Sequence, residues 1–457
     1  MLGGYSQQFY VLFAFVAAGY LTLSGTKKYR ITTFLIAFWI LGGSIIHLSA
    51  YNLPFRMIGG EMQIKRLAFL ILSMYLIFIS FLKPGYKEGL KKLPYEKYFY
   101  ALILWFVIVI GYHYLNGLFQ KREVIGIIEA MFIVLVVYLT VKRTGEAQIL
   151  RVLGRAIVMV AIISSVVAIV QFFGNPWFMR IGGALPAFGG KLRSNGIFHT
   201  EYTHSYVTLS ALIVTLVTFK PGRIKQIISG LLFVGILMSF HRMSWLLTLL
   251  IITGYFALYR RESLKLVILL VPLAISVILF FALELFPVID YLEGTSFYSE
   301  RLTANTWETR QKLNEMVFQQ FDKIAFVGAG STKSPLYYYS IIDAGMGEEW
   351  AMGMRGGFHN LYFYYLFVYG LPFVLLFIFF LISSLRYYFQ LVMGKKFLFL
   401  IAVLFLIMFI IMNISNSFPL EGDFGFFVGL FLGANAAVAS RSENLLKELI
   451  PHVQESR

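Results

Sequence analysis

The chain has 457 residues, of which 59% are hydrophobic, 18% aromatic and only 14% charged, with a mean hydropathy of +0.75. Soluble domains are about 45–50% apolar and about 25% charged, so most of this chain cannot face water and it is an integral membrane protein. Lys and Arg number 39 against 23 Asp and Glu, a net +16 that basic cytoplasmic loops explain without nucleic acid, and the lack of cysteine removes disulfides, thiolate metal ligands and cysteine nucleophiles.

An apolar run of about 20 residues crosses a bilayer as a helix, because each residue rises about 1.5 Å against a core about 30 Å thick. Thirteen candidate spans follow in chain order: 8–24, 31–51, 66–82, 98–116, 124–141, 153–173, 204–219, 224–240, 243–259, 264–284, 357–384, 395–414 and 424–439. No positive charge precedes the first run, and Lys27, Lys28 and Arg30 follow it, so a cleaved leader is not expected. The turn between 224–240 and 243–259 is so short that one of the neighbouring runs could be a half span, which sets the count at twelve to thirteen. The connections after odd-numbered spans carry 24 basic residues and those after even-numbered spans 15, six of the latter in one long segment, 285–356. Long segments cross largely regardless of charge. The expected scheme therefore puts odd connections in the cytoplasm and the long segment outside.

The expected architecture is all-α and polytopic. Membrane helices occupy 1–284 and 357–439, an external (periplasmic) insertion fills 285–356, and a cytoplasmic tail runs from 440 to 457. Within the insertion Trp307, Leu313, Met316, Val317, Phe321 and Ile324 recur at helical spacing among Glu308, Arg310, Lys312, Glu315, Asp322 and Lys323. This predicts an amphipathic helix that lies on the membrane surface or caps the bundle. Val327-Gly328-Ala329-Gly330-Ser331 after it reads as a loop.

Six of the seven histidines, His47, His113, His199, His204, His241 and His359, fall in external connections or at outer span ends under this scheme. Each alone could simply hydrogen-bond at headgroup level, but together they point to chemistry on the outer face. Arg242 sits in a two-residue turn between long apolar runs. A guanidinium there must snorkel or pair, and is a functional candidate for that reason. Arg301, Arg310 and Arg355 are the other arginines of interest. His359-Asn360 follows Gly356-Gly357-Phe358 and opens a span rich in aromatics, Tyr362 among them. A neutral imidazole there could act as a general base toward a hydroxyl arriving from the aqueous side. No Gly-rich phosphate loop, dinucleotide fingerprint or His-Glu-x-x-His metal spacing is present, so neither a cofactor nor a metal site is expected.

These residues resemble the O-antigen ligase and polymerase superfamily of bacterial envelope glycosyltransferases. Its ligases carry His followed by Asn, Ser or Gln, then nine residues, then Gly and two more before Gly, Thr or Tyr. His359-Asn360, Leu361 to Tyr369 and Gly370 fit, while Phe373 departs from the last position. Arg193 to His199 looks like the family's loop before a middle span. Phe240-His241-Arg242-Met243-Ser244 looks like its Ser-Arg turn with His241 in place of the serine, and Arg310 with Gly328-Ala329-Gly330 resembles its arginine, helix and glycine pattern. The family's tryptophan position is Asn314 here, so Arg301 rivals Arg310.

The resemblance implies a glycan donor on undecaprenyl diphosphate, an outward-facing site in the bacterial inner membrane, and an inverting, metal-independent transfer. It implies His359 as base, Arg242 and Arg310 as a diphosphate clamp, and Asn360, Tyr362, Arg301, Arg193, His199, His241 and Arg355 as substrate-binding residues. Guanidinium forks suit those phosphate oxygens. The expected acceptor is the lipid A core, with membrane lipid around the protein. A polymerase joining lipid-linked repeat units, a protein O-glycosylating enzyme, and a transporter or lipid flippase are the alternatives.

Overall fold

The computed structural model describes residues 2–49, 71–75, 91–117, 121–180, 192–259, 306–330, 335–343, 360–394, 396–415 and 423–441. Its helices are α1 (Leu2–Gly25), α2 (Arg30–Ser49), α3 (Glu96–Leu115), α4 (Lys121–Thr144), α5 (Ala147–Phe173), α6 (Glu201–Thr218), α7 (Arg223–Met238), α8 (Arg242–Tyr259), α9 (Thr306–Gln319), α10 (Phe321–Ile324), α11 (Pro335–Asp343), α12 (Leu361–Met393), α13 (Leu400–Ser415) and α14 (Asp423–Ser440). Eleven of the thirteen expected spans coincide with one of these helices; the other two, 66–82 and 264–284, lie mostly or wholly outside the described residues. Four helices are long and apolar enough to cross a membrane, Glu96–Leu115, Ala147–Phe173, Leu361–Met393 and Phe397–Ile414, and shorter apolar helices accompany them. This is an all-α polytopic membrane protein.

α6 occupies the middle of one half of the bundle, packed by α5, α7, α8 and α13. It is buried on every side from Thr203 to Val217, as a helix enclosed by other helices must be. Its polar residues bond inward: Ser205 Oγ donates to Ser239 Oγ at 2.9 Å, and His204 bridges Ser164 Oγ on α5 (2.7 Å) and Gly235 O on α7 (3.0 Å). The headgroup-level reading of His204 is thereby corrected, since the ring is an interhelical strut with no exposure. In the other half α3 packs on α12 and α4 on α14. Gly429 and Gly433 lie one turn apart against Val134 O and Tyr138 O, where a Cβ would come within 2.6 and 2.8 Å. Such small residues let two backbones approach closely in lipid.

α12 is broken in the middle. Gly370 has φ 81° and ψ 173°, and Pro372 follows it. Helical hydrogen bonds to the carbonyls of Phe367, Val368 and Tyr369 would come from residues 371, 372 and 373, but Pro372 has no N–H and the chain turns away at Gly370. An unpaired carbonyl in hydrocarbon costs several kcal/mol, so such breaks persist only where something else satisfies the backbone. The loop after α10 does so. Ala329 N donates to Phe367 O (2.6 Å), Gly330 N to Val368 O (3.1 Å), and Leu371 N to Ala325 O (2.8 Å), while Trp105 Nε1 on α3 donates to Tyr369 O (3.3 Å). The fit is tight from both sides: a Cβ on Gly370 would lie 2.2 Å from Phe326 O, and one on Gly328 (φ 73°) 2.4 Å from Val368 O. His113 on α3 closes the joint by donating from Nε2 to Val327 O at 2.8 Å.

Candidate functional site

The C-terminal ends of α3, α5 and α7 and the N-terminal ends of α6, α8 and α12 lie toward one end of the bundle, called the upper end here. Three irregular pieces of chain are built onto that end. The first is the loop before α6. Gln171, near the end of α5, holds it like a template: its Oε1 accepts from Asn195 N (3.1 Å) and Gly196 N (3.0 Å), and its Nε2 donates to Gly196 O (2.8 Å) and Phe178 O (2.9 Å). Ser194 N donates to Met238 O at the end of α7 (3.1 Å). Thr200 caps α6 by accepting from Thr203 N (3.2 Å).

This frame presents Arg193, whose Nη1 pairs with Glu201 Oε1 at 2.8 Å. Arg180 lies behind it, donating from Nη2 to Arg193 O (2.6 Å) and from Nε to Pro176 O (2.7 Å). Burial lowers the Arg180 pKa from its ordinary value and Glu201 opposes that; a guanidinium still stays charged. Arg193 Nε, Ser194 Oγ and Asn195 Oδ1 are buried with no hydrogen-bond partner. Three orphaned polar atoms in consecutive residues are unusual, and they are the arrangement expected where a polar ligand would complete the set. His199 is exposed; its carbonyl accepts from Asn195 Nδ2 at 3.3 Å.

The second piece is the turn from α7 to α8. Phe240 adopts φ 51° and stacks on Phe172 of α5 with ring centres 5.3 Å apart. His241 N donates to Ser239 Oγ (3.2 Å), its Nδ1 bonds Ser244 Oγ (2.6 Å), and its ring meets Tyr202 of α6 edge-on at 4.8 Å. His241 is buried by these contacts. Arg242 then opens α8, so its backbone stands at the upper end beside α6; its side chain lies outside the described residues.

The third piece is the insertion. α9 runs from Thr306 to Gln319 with Leu313, Met316 and Val317 buried, and it packs on the start of α12, where Phe318 meets Phe363 at 5.4 Å. Arg310 lies on α9, its side chain outside the described residues. Asn360 is the N-cap of α12, its Oδ1 accepting from Tyr362 N (2.9 Å) and Phe363 N (3.2 Å). Its described contacts are therefore structural. Tyr362 lies two residues further on, half-buried against Phe377 at 6.1 Å. His359, Arg301 and Arg355 lie outside the described residues.

Sequence reasoning missed Gln171, Glu201, Arg180 and Ser239, which shape the first two pieces, and Trp105, which with His113, one of the six outer histidines, seats the third. An amide inside an apolar run was the only signal that could have singled out Gln171.

Residues 227–378 match the family model of O-antigen ligase. That segment, about a third of the chain, is similar to O-antigen ligase. The match supports the O-antigen ligase and polymerase superfamily. It runs from α7 to the middle of α12 and takes in the 239–242 turn, α9, the docked 325–330 loop and the break at Gly370. The 192–200 loop lies outside the matched segment but touches it at Met238. No curated protein matches the chain significantly.

Proposed function

We propose that the protein is a ligase that transfers polysaccharide from undecaprenyl diphosphate to an outer-leaflet acceptor, the lipid A core, from a site facing the periplasm of the inner membrane. The observation that carries this reading is the O-antigen ligase match over residues 227–378, which takes in two of the three pieces of chain at the upper end of the bundle. In the reaction the acceptor hydroxyl oxygen attacks the anomeric carbon, the bond from that carbon to the diphosphate oxygen breaks, and the configuration inverts. His359 takes the hydroxyl proton, and the electron pair leaves on undecaprenyl diphosphate. Arg242 and Arg310 hold the diphosphate and stabilise the charge that grows on it as the bond breaks. Arg193, His199, His241, Asn360, Tyr362, Arg301 and Arg355 line the approach. The unpaired polar atoms of residues 193–195 support a polar ligand beside this clamp.

A polymerase that joins lipid-linked repeat units is the second reading, favoured by Phe373. That residue replaces the small or polar residue of the ligase motif and is wholly buried against Tyr365 and Tyr369, with ring centres 4.9 and 4.7 Å away. Purified protein given lipid-linked polysaccharide and acceptor should release undecaprenyl diphosphate, and His359→Ala should abolish release with expression unchanged. Full activity in that variant overturns the base assignment, and absence of any turnover in the unmodified protein returns the transporter class. Deleting the gene separates the two enzyme readings: intact lipid-linked polymer with none on lipid A supports the ligase, and single repeat units on lipid A support the polymerase.

A further inference from the structure

The end of the bundle opposite the candidate site, the lower end, holds a cavity that the proposed transfer does not use. It has a volume of about 340 Å³ and lies between the start of α5, the end of α6, the start of α13 and the second half of α14. That is within the range of small-ligand sites, about 300–1,000 Å³. Most of its wall is apolar, including Leu153, Ile157, Val214 and Phe431, and two arginines of one helix, Arg151 and Arg155, join that wall. They are exposed and one turn apart, about 6 Å along α5, on the same face of the helix.

We infer that this cavity binds one anionic phospholipid of the leaflet at that end, its phosphate held by Arg151 and Arg155 and an acyl chain lying in the apolar recess. Three observations select this occupant. The cavity sits near the ends of α5, α6 and α13, beside the second half of α14. Its polarity is divided, with charge from the first turns of α5 and hydrocarbon beyond, as in a phospholipid. The surrounding end is strongly basic: Lys28, Lys142, Arg143, Lys220, Arg223, Lys225 and Arg441 lie there, with Glu96 paired to Lys142 and Glu146 to Lys28 at 3.3 Å. Basic pockets between membrane helices attract anionic headgroups, each Lys or Arg being worth about 1 kcal/mol near the surface. A soluble phosphate would use the arginines and leave the recess empty.

The test uses the full chain, purified in detergent and titrated by native mass spectrometry with phosphatidylglycerol, with phosphatidylcholine of the same chains, and with inorganic phosphate. One phosphatidylglycerol should bind about tenfold more tightly than phosphatidylcholine, and millimolar phosphate should not displace it. Arg151→Gln with Arg155→Gln, both at exposed positions, should remove the preference and weaken phosphatidylglycerol by roughly thirtyfold, about fivefold for each charge. Ala434→Phe, which fills the recess, should weaken both lipids. Equal affinity for the two lipids, a retained preference in the double variant, or displacement by phosphate overturns the inference. None of these readouts depends on the transfer reaction.

Discussion

Phe240 decides where Arg242 begins. With φ 51° and its ring stacked on Phe172, it ends α7 sharply, and the hydrogen bonds of His241 to Ser239 and Ser244 start α8 one residue later. Arg242 therefore takes the first position of a membrane helix, where its charge can stay at the aqueous end without crossing hydrocarbon. If it clamps a diphosphate, its value lies in two parallel donors, and Arg242→Lys keeps the charge but loses the fork. A hydrogen bond to a charged group is worth about 1.5–3 kcal/mol, so turnover should fall about tenfold to a hundredfold, measured as undecaprenyl diphosphate released at fixed expression. Near-normal turnover would mark Arg242 as a headgroup anchor. The two histidines nearest this region show what single residues reveal in sequence. His241 was visible because a charged turn between apolar runs has few explanations. Both are buried in the structure, and the partners of His204, Ser164 and Gly235, lie on helices whose neighbours only the fold determines.

At the scale of elements, the spans were legible because hydrophobic length is read from the chain alone, and α1 to α8 and α12 to α14 fall where those runs lie. The break in α12 was not. Gly370 and Pro372 were in view as parts of a motif, yet a run of 33 residues with mean apolar character reads as one helix until the loop that repairs its hydrogen bonds is seen. That loop begins some forty residues earlier in the chain, a separation no periodicity argument spans. The repair gives the Gly328-Ala329-Gly330 and His-Asn-x9-Gly patterns one physical meaning: each supplies glycine where two backbones hydrogen-bond to one another. Gly370→Ala should therefore be costly, since a Cβ there meets Phe326 O at 2.2 Å and the backbone conformation is open almost only to glycine. Strain alone costs about 1–3 kcal/mol. The expected result is a lower unfolding temperature in detergent together with lost turnover, because α9 and Arg310 hang from the displaced loop. Gly230→Ala, on α7 with nothing within 4 Å of the new Cβ, should leave both unchanged or raise stability slightly. Equal effects of the two substitutions would remove the docking argument.

Across the whole molecule the two ends differ in charge and in kind. The upper end carries strained turns, orphaned polar atoms and a docked loop; the lower end carries most of the described lysines and arginines and a buried pair, Glu96 with Lys142, braced by Leu93 N at 2.9 Å. Positive residues collect on the cytoplasmic side, so the lower end should face the cytoplasm and the candidate site the opposite compartment. The chain offers a direct check, because it has no cysteine of its own and any introduced thiol is the only one. Asn175→Cys marks the upper end just beyond α5, and Lys220→Cys marks the lower end between α6 and α7; both positions are exposed. A membrane-impermeant maleimide added to intact spheroplasts should label Asn175→Cys and leave Lys220→Cys unlabelled until the membrane is opened. The reverse pattern would turn the candidate site toward the cytoplasm, where an acceptor hydroxyl of the outer leaflet could not reach it, and the proposed transfer would fail with it. Labelling of both before opening would mean that α6 does not run from one face to the other, and the bundle's two ends would no longer be two sides of a membrane.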